Sequence, residues 1–123
     1  MDKEQRALLD ASKDKLGVAE TLLENGSLSD AVSRAYYSMF HSARAALLEE
    51  GSRPKTHQGV ISELGRLLRD DIDRDLISSM SEVQSLREDA DYEPYFEIDE
   101  SVAEDSIDKA RELRVQIEEF IEE

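Results

Sequence analysis

With 123 residues and 39% apolar side chains, the chain has enough material for one domain with its own core. Thirty Asp and Glu against fifteen Lys and Arg leave a net charge of −15, a surface that repels nucleic acid at ordinary ionic strength. The absence of cysteine excludes disulfides and thiolate metal sites, and five Gly with two Pro are too few for a many-turned β fold.

No apolar run is long enough to span a bilayer. The N-terminal MDKEQRALLD has no apolar h-region, so no secretory signal is read there and a cytoplasmic location is expected. Only five of the basic residues are Lys. Lys scarcity beside abundant acid fits a halophilic archaeon, where molar salt shrinks the Debye length to about 3 Å. It fits an ordinary acidic cytoplasmic protein equally well.

The first predicted helix runs from Lys3 to Glu24. Leu9, Ser12, Leu16, Ala19 and Leu23 form a seam with 3/4 spacing, widened by Leu8 and Leu22. Gly17 falls inside it and costs about 1 kcal/mol relative to Ala. Asn25-Gly26 ends the helix, glycine being the natural left-handed cap residue. Ser27 or Ser29 caps helix 2, which continues to Glu50 and stops at Gly51-Ser-Arg-Pro54. Thr56 caps helix 3, with Val60, Ile61, Leu64, Leu67 and Leu68 on its apolar side. The charge cluster from Asp70 to Asp75 reads as a turn. Helix 4 carries Leu76, Ile77, Met80, Val83, Leu86 and Ala90. Asp91 to Asp99 reads as a loop, because Pro94 disfavours helix in the residue before it. Ser101 and Glu104 suggest a capping box for the last helix. Its apolar positions are Val102, Ile107, Ala110, Leu113, Ile117, Phe120 and Ile121, and the terminal IEEFIEE reads as frayed helix. The expected fold is all-α: an antiparallel bundle of four to five helices, one domain over residues 1–123.

Helix 2 is the unusual element. From Leu28 to Leu48 its only formal charges are Asp30, Arg34 and Arg44. Together with Tyr37 and His41 they follow spacings of 4, 3, 4 and 3, which places all five on one narrow stripe. Val32, Ala35, Tyr36, Met39, Ala43, Ala46 and Leu47 lie opposite. A helix so poor in charge, in so acidic a chain, is expected to be covered on most sides. Its polar stripe is then a site or a subunit interface.

Arg34 and His41 lie two helical turns apart on that stripe. A guanidinium suits phosphate oxygens, and an imidazole exchanges a proton near neutral pH. The pair could bind a phosphodiester and move a proton from a ribose 2′-OH without metal. Asp30 could orient Arg34 through an i,i+4 pair, and Tyr37 could stack on a base. The plain alternative is a helix salt bridge beside a half-buried histidine, with a dimer interface between the two readings. A second candidate is Arg87-Glu-Asp-Ala-Asp91-Tyr92. Arg87 and Asp91 can pair, and Arg87 reaches the Arg34/His41 stripe if helices 2 and 4 pack side by side. Otherwise the pair is a helix-end salt bridge with Tyr92 closing the core. A third is Lys55-Thr56-His57, where a helix N-terminus could hold an anion. The plainer reading makes Thr56 the cap and His57 an exposed first-turn residue.

No phosphate-binding glycine loop, nucleophile elbow or H-E-x-x-H occurs, and two His without Cys offer no obvious metal cage. Neither a metal nor a cofactor is expected.

The helix 2 sequence from Ala31 to Leu48, AVSRAYYSMFHSARAALL, resembles the HEPN superfamily, in its branch of small archaeal and bacterial proteins. Lys55-Thr56-His57-Gln-Gly59-Val60 and Arg87-Glu-Asp-Ala90-Asp91-Tyr92 match the same branch in the expected order. The resemblance implies a helical bundle that commonly forms a homodimer. It also implies a minimal nucleotidyltransferase partner in a toxin–antitoxin-like pair. In ribonuclease members of the superfamily an R-x(4–6)-H motif cleaves RNA without metal, and Arg34 to His41 meets that spacing. Two departures stand beside it. Ala35, not a polar residue, follows Arg34, and the pair lies on helix 2 rather than on a later helix. The stretch from Arg87 to Tyr92 contains no His. Three readings follow: a nucleotide- or RNA-binding subunit with Arg34, Tyr37, His41 and Arg87 in contact, a metal-independent endoribonuclease using Arg34 and His41, or a structural helical protein.

Overall fold

The computed structural model describes residues 1–122 and contains five helices. They are α1 (Lys3–Glu24), α2 (Leu28–Glu49), α3 (His57–Leu68), α4 (Arg74–Tyr92) and α5 (Glu100–Glu122). No strand occurs among the described residues. The expected all-α bundle is the observed one.

α2 is the axis of the bundle and touches all four other helices. That explains its poverty of charge, since eleven of its 22 residues are buried. The α1–α2 contact is close because small side chains line it. Ser12 Oγ donates to the Ser38 carbonyl at 2.8 Å, and Gln5 Nε2 to the Ala45 carbonyl at 3.4 Å. The partners ascend on α1 and descend on α2, so the two helices run antiparallel. The core continues through Leu64, Leu68, Met80, Leu113 and Ile117, all fully buried.

Local chemistry sets the helix ends. Asp2 and Gln5 form a reciprocal capping box on α1. Gly26 (φ 77°) and Gly51 (φ 69°) take the left-handed conformation after α1 and α2. Thr56 caps α3, its Oγ1 accepting from the Gly59 amide at 2.9 Å. Asp73 caps α4.

Four sequence expectations are corrected. Ser27 occupies the N-cap of α2 but its side chain makes no capping bond. α4 continues through Asp91 and Tyr92, so the loop begins at Glu93. The cap of α5 is Asp99, whose Oδ1 accepts from the Val102 amide and the Ser101 hydroxyl, in place of a Ser101–Glu104 box. A carboxylate there also meets the positive end of the helix dipole. Tyr92 does not close the core, being 81% exposed. The apolar spacing of the IEEFIEE segment does carry α5 to Glu122, with Ile117 and Ile121 buried; Glu123 lies outside the described residues.

Candidate functional site

The unburied face of α2 forms one wall of a groove of about 650 Å³. α2 contributes Asp30, Ser33, Arg34, Tyr37 and His41; α1 supplies the facing wall with Lys15, Val18 and Leu22. Four of the five stripe residues thus share one groove. Among the described residues Arg34 and Asp30 form no ion pair, and the Arg34 side chain is exposed. The i,i+4 orientation of Arg34 by Asp30 is absent.

His41 sits half-buried at the end of this groove. Its Nδ1 is buried and has no hydrogen-bond partner among the described residues. Burial pushes its pKa below the ordinary histidine value, and the Arg44 and Lys15 cations push in the same direction. The imidazole is therefore neutral at pH 7, with a nitrogen that no described group satisfies.

A second cluster adjoins the stripe at Tyr37. Arg87 of α4 lies with its guanidinium carbon 5.4 Å from the Tyr36 ring centroid and 5.5 Å from that of Tyr37. Gln84 accepts from its Nε at 2.9 Å and Asp91 from its Nη1 at 3.0 Å, leaving the side chain only 17% exposed. His57, the first residue of α3, stacks on Phe40 with ring centroids 4.3 Å apart. Its Nδ1 is 2.7 Å from the Tyr36 hydroxyl. Burial and then Arg87 lower the His57 pKa, against a smaller opposing effect of Glu88. Burial raises that of the Tyr36 hydroxyl, which stays protonated. A neutral imidazole with its proton on Nε2 accepts the Tyr36 O–H at Nδ1.

The other candidates separate. Arg44 leaves the groove and lies over the Phe40 ring, 5.8 Å from its centroid. Lys55 and Arg44 line a different cavity, at the end of α2. Thr56 is occupied as a cap and His57 is turned onto Phe40 and Tyr36, so Lys55, Thr56 and His57 do not converge on one point. Asp91 joins through Arg87, whereas Tyr92 points to solvent.

Lys15, Ser33, Tyr36 and Phe40 belong to this region and were not singled out from the sequence. Lys15 left a weak signal: Val18 and Leu22 lie three and seven residues on, on its own helix face. Tyr36 left none, because its ring belongs to the apolar side and only its hydroxyl reaches His57.

Among the described residues no group of three or more His, Cys, Asp or Glu is arranged to hold a metal ion. No described helix is long and apolar enough to cross a membrane.

Comparison with known proteins decides the family. The family model of the HEPN domain matches residues 5–120. The chain belongs to the HEPN family. A "UPF0332 protein" of Pyrococcus horikoshii is 54% identical over 54 residues, 44% of this chain and 38% of the relative. A protein of Methanocaldococcus jannaschii named "Putative toxin" is 46% identical over 63 residues, 51% of this chain and 47% of its own. A second protein of that name from the same organism is 32% identical over 104 residues, 83% of this chain and 71% of the relative. The match thus spans less than half the length of the first two relatives. The HEPN assignment accounts for the helical bundle.

Proposed function

We propose that this HEPN protein is the helical subunit of a toxin–antitoxin-like module. In this reading it self-associates, pairs with a minimal nucleotidyltransferase and binds nucleotide or RNA in the α1–α2 groove. The observation that carries the reading is the groove itself. It brings Lys15, Tyr37, His41 and an Arg34 with no ion-pair partner among the described residues together on a face of α2 that the bundle leaves open, with the unsatisfied His41 Nδ1 buried beneath it. The two cations meet phosphate, and Tyr37, backed by Arg87, offers a ring to a base. The names of the Methanocaldococcus relatives support the toxin side of the reading. The net charge of −15 opposes RNA at low salt, so a basic partner or a salty medium belongs to the same proposal.

A second reading is favoured by His41 alone. A neutral imidazole lining the groove two helical turns from Arg34, with its buried Nδ1 free of other bonds, is equipped to exchange a proton with a phosphodiester through its groove-side nitrogen. His41 would act as acid and base and Arg34 would hold the phosphate, giving metal-independent endoribonuclease activity.

One experiment addresses both. Fluorescent single-stranded RNA is titrated with the wild type, Arg34→Ala and His41→Ala in low and molar KCl without divalent metal. Anisotropy and cleavage are read together, with mass from light scattering. Binding lost in both variants supports the binding subunit. Cleavage lost in both supports the enzyme. A folded wild-type dimer that does neither, alone or with a co-purified partner, overturns both.

A further inference from the structure

A second cavity, of about 500 Å³, lies at the opposite end of α2 and is distinct from the groove. Leu8, Phe40, Leu48 and Pro54 make its apolar wall. Arg44, Arg53 and Lys55 bring three cations to it, Ser52 a hydroxyl, and Glu4 the one carboxylate. In a molecule of net charge −15 this is a local reversal of sign. Arg44 and Lys55 have no ion-pair partner among the described residues.

Glu4 shows what the cations accept. Both its oxygens take a hydrogen bond from Arg53, at 2.9 Å each, a fork-to-fork pair. Arg53, and more weakly Arg44, hold the Glu4 carboxyl below the usual carboxylate range. The pair is exposed on both sides and crosses from α1 to the α2–α3 loop, so it is easily exchanged. An incoming anion would meet Arg44 and Lys55 unopposed and compete with Glu4 for Arg53.

We propose that this cavity binds a phosphomonoester dianion bearing an apolar or aromatic body. The phosphate would lie among Arg44, Arg53 and Lys55, with the body against Leu8, Leu48 and Pro54. Charge and wall are both needed: inorganic phosphate uses only the cations, and an uncharged aryl alcohol only the wall. Such a dianion occurs on free small molecules and at the end of an RNA strand.

The test is a calorimetric and amide-NMR titration of the full chain with phenyl phosphate at low ionic strength. Inorganic phosphate and benzyl alcohol serve as controls. One-to-one binding tighter than either control is expected, with the largest shifts at Ser52, Arg53 and Lys55. Lys55→Gln, an exposed position outside any ion pair, should weaken binding several-fold with the fold intact. Glu4→Gln removes the competing carboxylate and should tighten binding on the order of tenfold. A merely structural Glu4–Arg53 pair predicts no such gain. Tighter binding of a 5′-phosphorylated tetraribonucleotide than of its 5′-hydroxyl form and of phenyl phosphate would assign the ligand to an RNA end. Equal or weaker binding would assign it to a free small molecule. Absence of saturable binding overturns the proposal, as does binding that Lys55→Gln and Glu4→Gln leave unchanged or that Arg34→Ala abolishes. The last result would place the ligand in the α1–α2 groove and leave the function proposed there standing.

Discussion

The two histidines give the molecule its pH behaviour above the carboxylate range. Both are held below the ordinary histidine pKa by burial. Between that lowered value and about 6.5 the unfolded chain binds more protons than the folded one. Their contribution to stability is therefore complete above the unfolded pKa and lost as pH falls through this window. Thermal melts from pH 7.5 to 5 should show Tm declining, and His41→Gln with His57→Gln should flatten that decline. An unchanged slope in the double variant would assign the pH dependence to carboxylates instead. The Tyr36 hydroxyl offers a second check. Tyr36→Phe leaves the ring stack but removes the bond to His57 and should cost about 1 kcal/mol in a urea titration. These residues also mark the limit of sequence reading. The stripe from Asp30 to His41 was legible because a single helix carries it. Lys15, Tyr36 and the stacking of His57 on Phe40 were not, because they arise only when α1, α3 and α4 pack onto α2. Periodicity within one helix carries no information about which neighbour faces it.

At the level of elements, two contacts decide how α2 is held. The first is the close approach of α1, which depends on Ser12 being small and on its bond to the Ser38 carbonyl. Ser12→Ala should cost about 1 kcal/mol, and Ser12→Leu, which adds bulk at a fully buried position, about 1–3 kcal/mol more. Denaturant midpoints with unchanged m-values are the measurement. Equal effects of the two would mean that α1 can move away at little cost. The second is the entry to α3. A Cβ on Gly59 would stand 2.9 Å from Thr56 Oγ1 and 3.2 Å from Pro54 Cβ. Gly59→Ala therefore collides with the very atom that caps the helix, and the lost cap, roughly 1 kcal/mol, offsets the up to about 1 kcal/mol that Ala gains over Gly in a helix, so no net stabilisation is expected. Thr56→Ala in the same background should then add little, since both changes remove one bond. The helices themselves were legible: the 3/4 seams of Leu9 to Leu23 and Val60 to Leu68 are strong signals. Their ends were less so. Asp99 in place of Ser101, and two further residues of α4, turn on which of several neighbouring polar side chains reaches a free amide, and spacing alone does not rank them.

On the scale of the whole molecule, the charge of −15 sets a term that no single contact shows. Among the described residues, six ion pairs or networks tie parts of the surface together, but they are mostly exposed and each contributes about 0–1 kcal/mol. Self-repulsion among thirty acids works against the compact state at low ionic strength. Salt weakens both, but there are far more unpaired acids than pairs. Net stabilisation on going from 50 mM to 1 M KCl is therefore expected, with Tm rising by several degrees. KCl is the appropriate salt, because sulfate or phosphate would strengthen apolar burial as well and confuse the two effects. The excess acid also bears on recognition. Screening to a Debye length of about 3 Å at 1 M removes the long-range repulsion of RNA. The contacts proposed for phosphate at Lys15 and Arg34 would be weakened too, since phosphate binding releases counterions. RNA affinity should accordingly pass through a maximum between low and molar KCl, where the protein's own field is screened and the groove's cations still act. A monotonic fall from low salt would show that the groove's local charge outweighs the −15 around it. A monotonic rise would place the protein's working medium near molar salt.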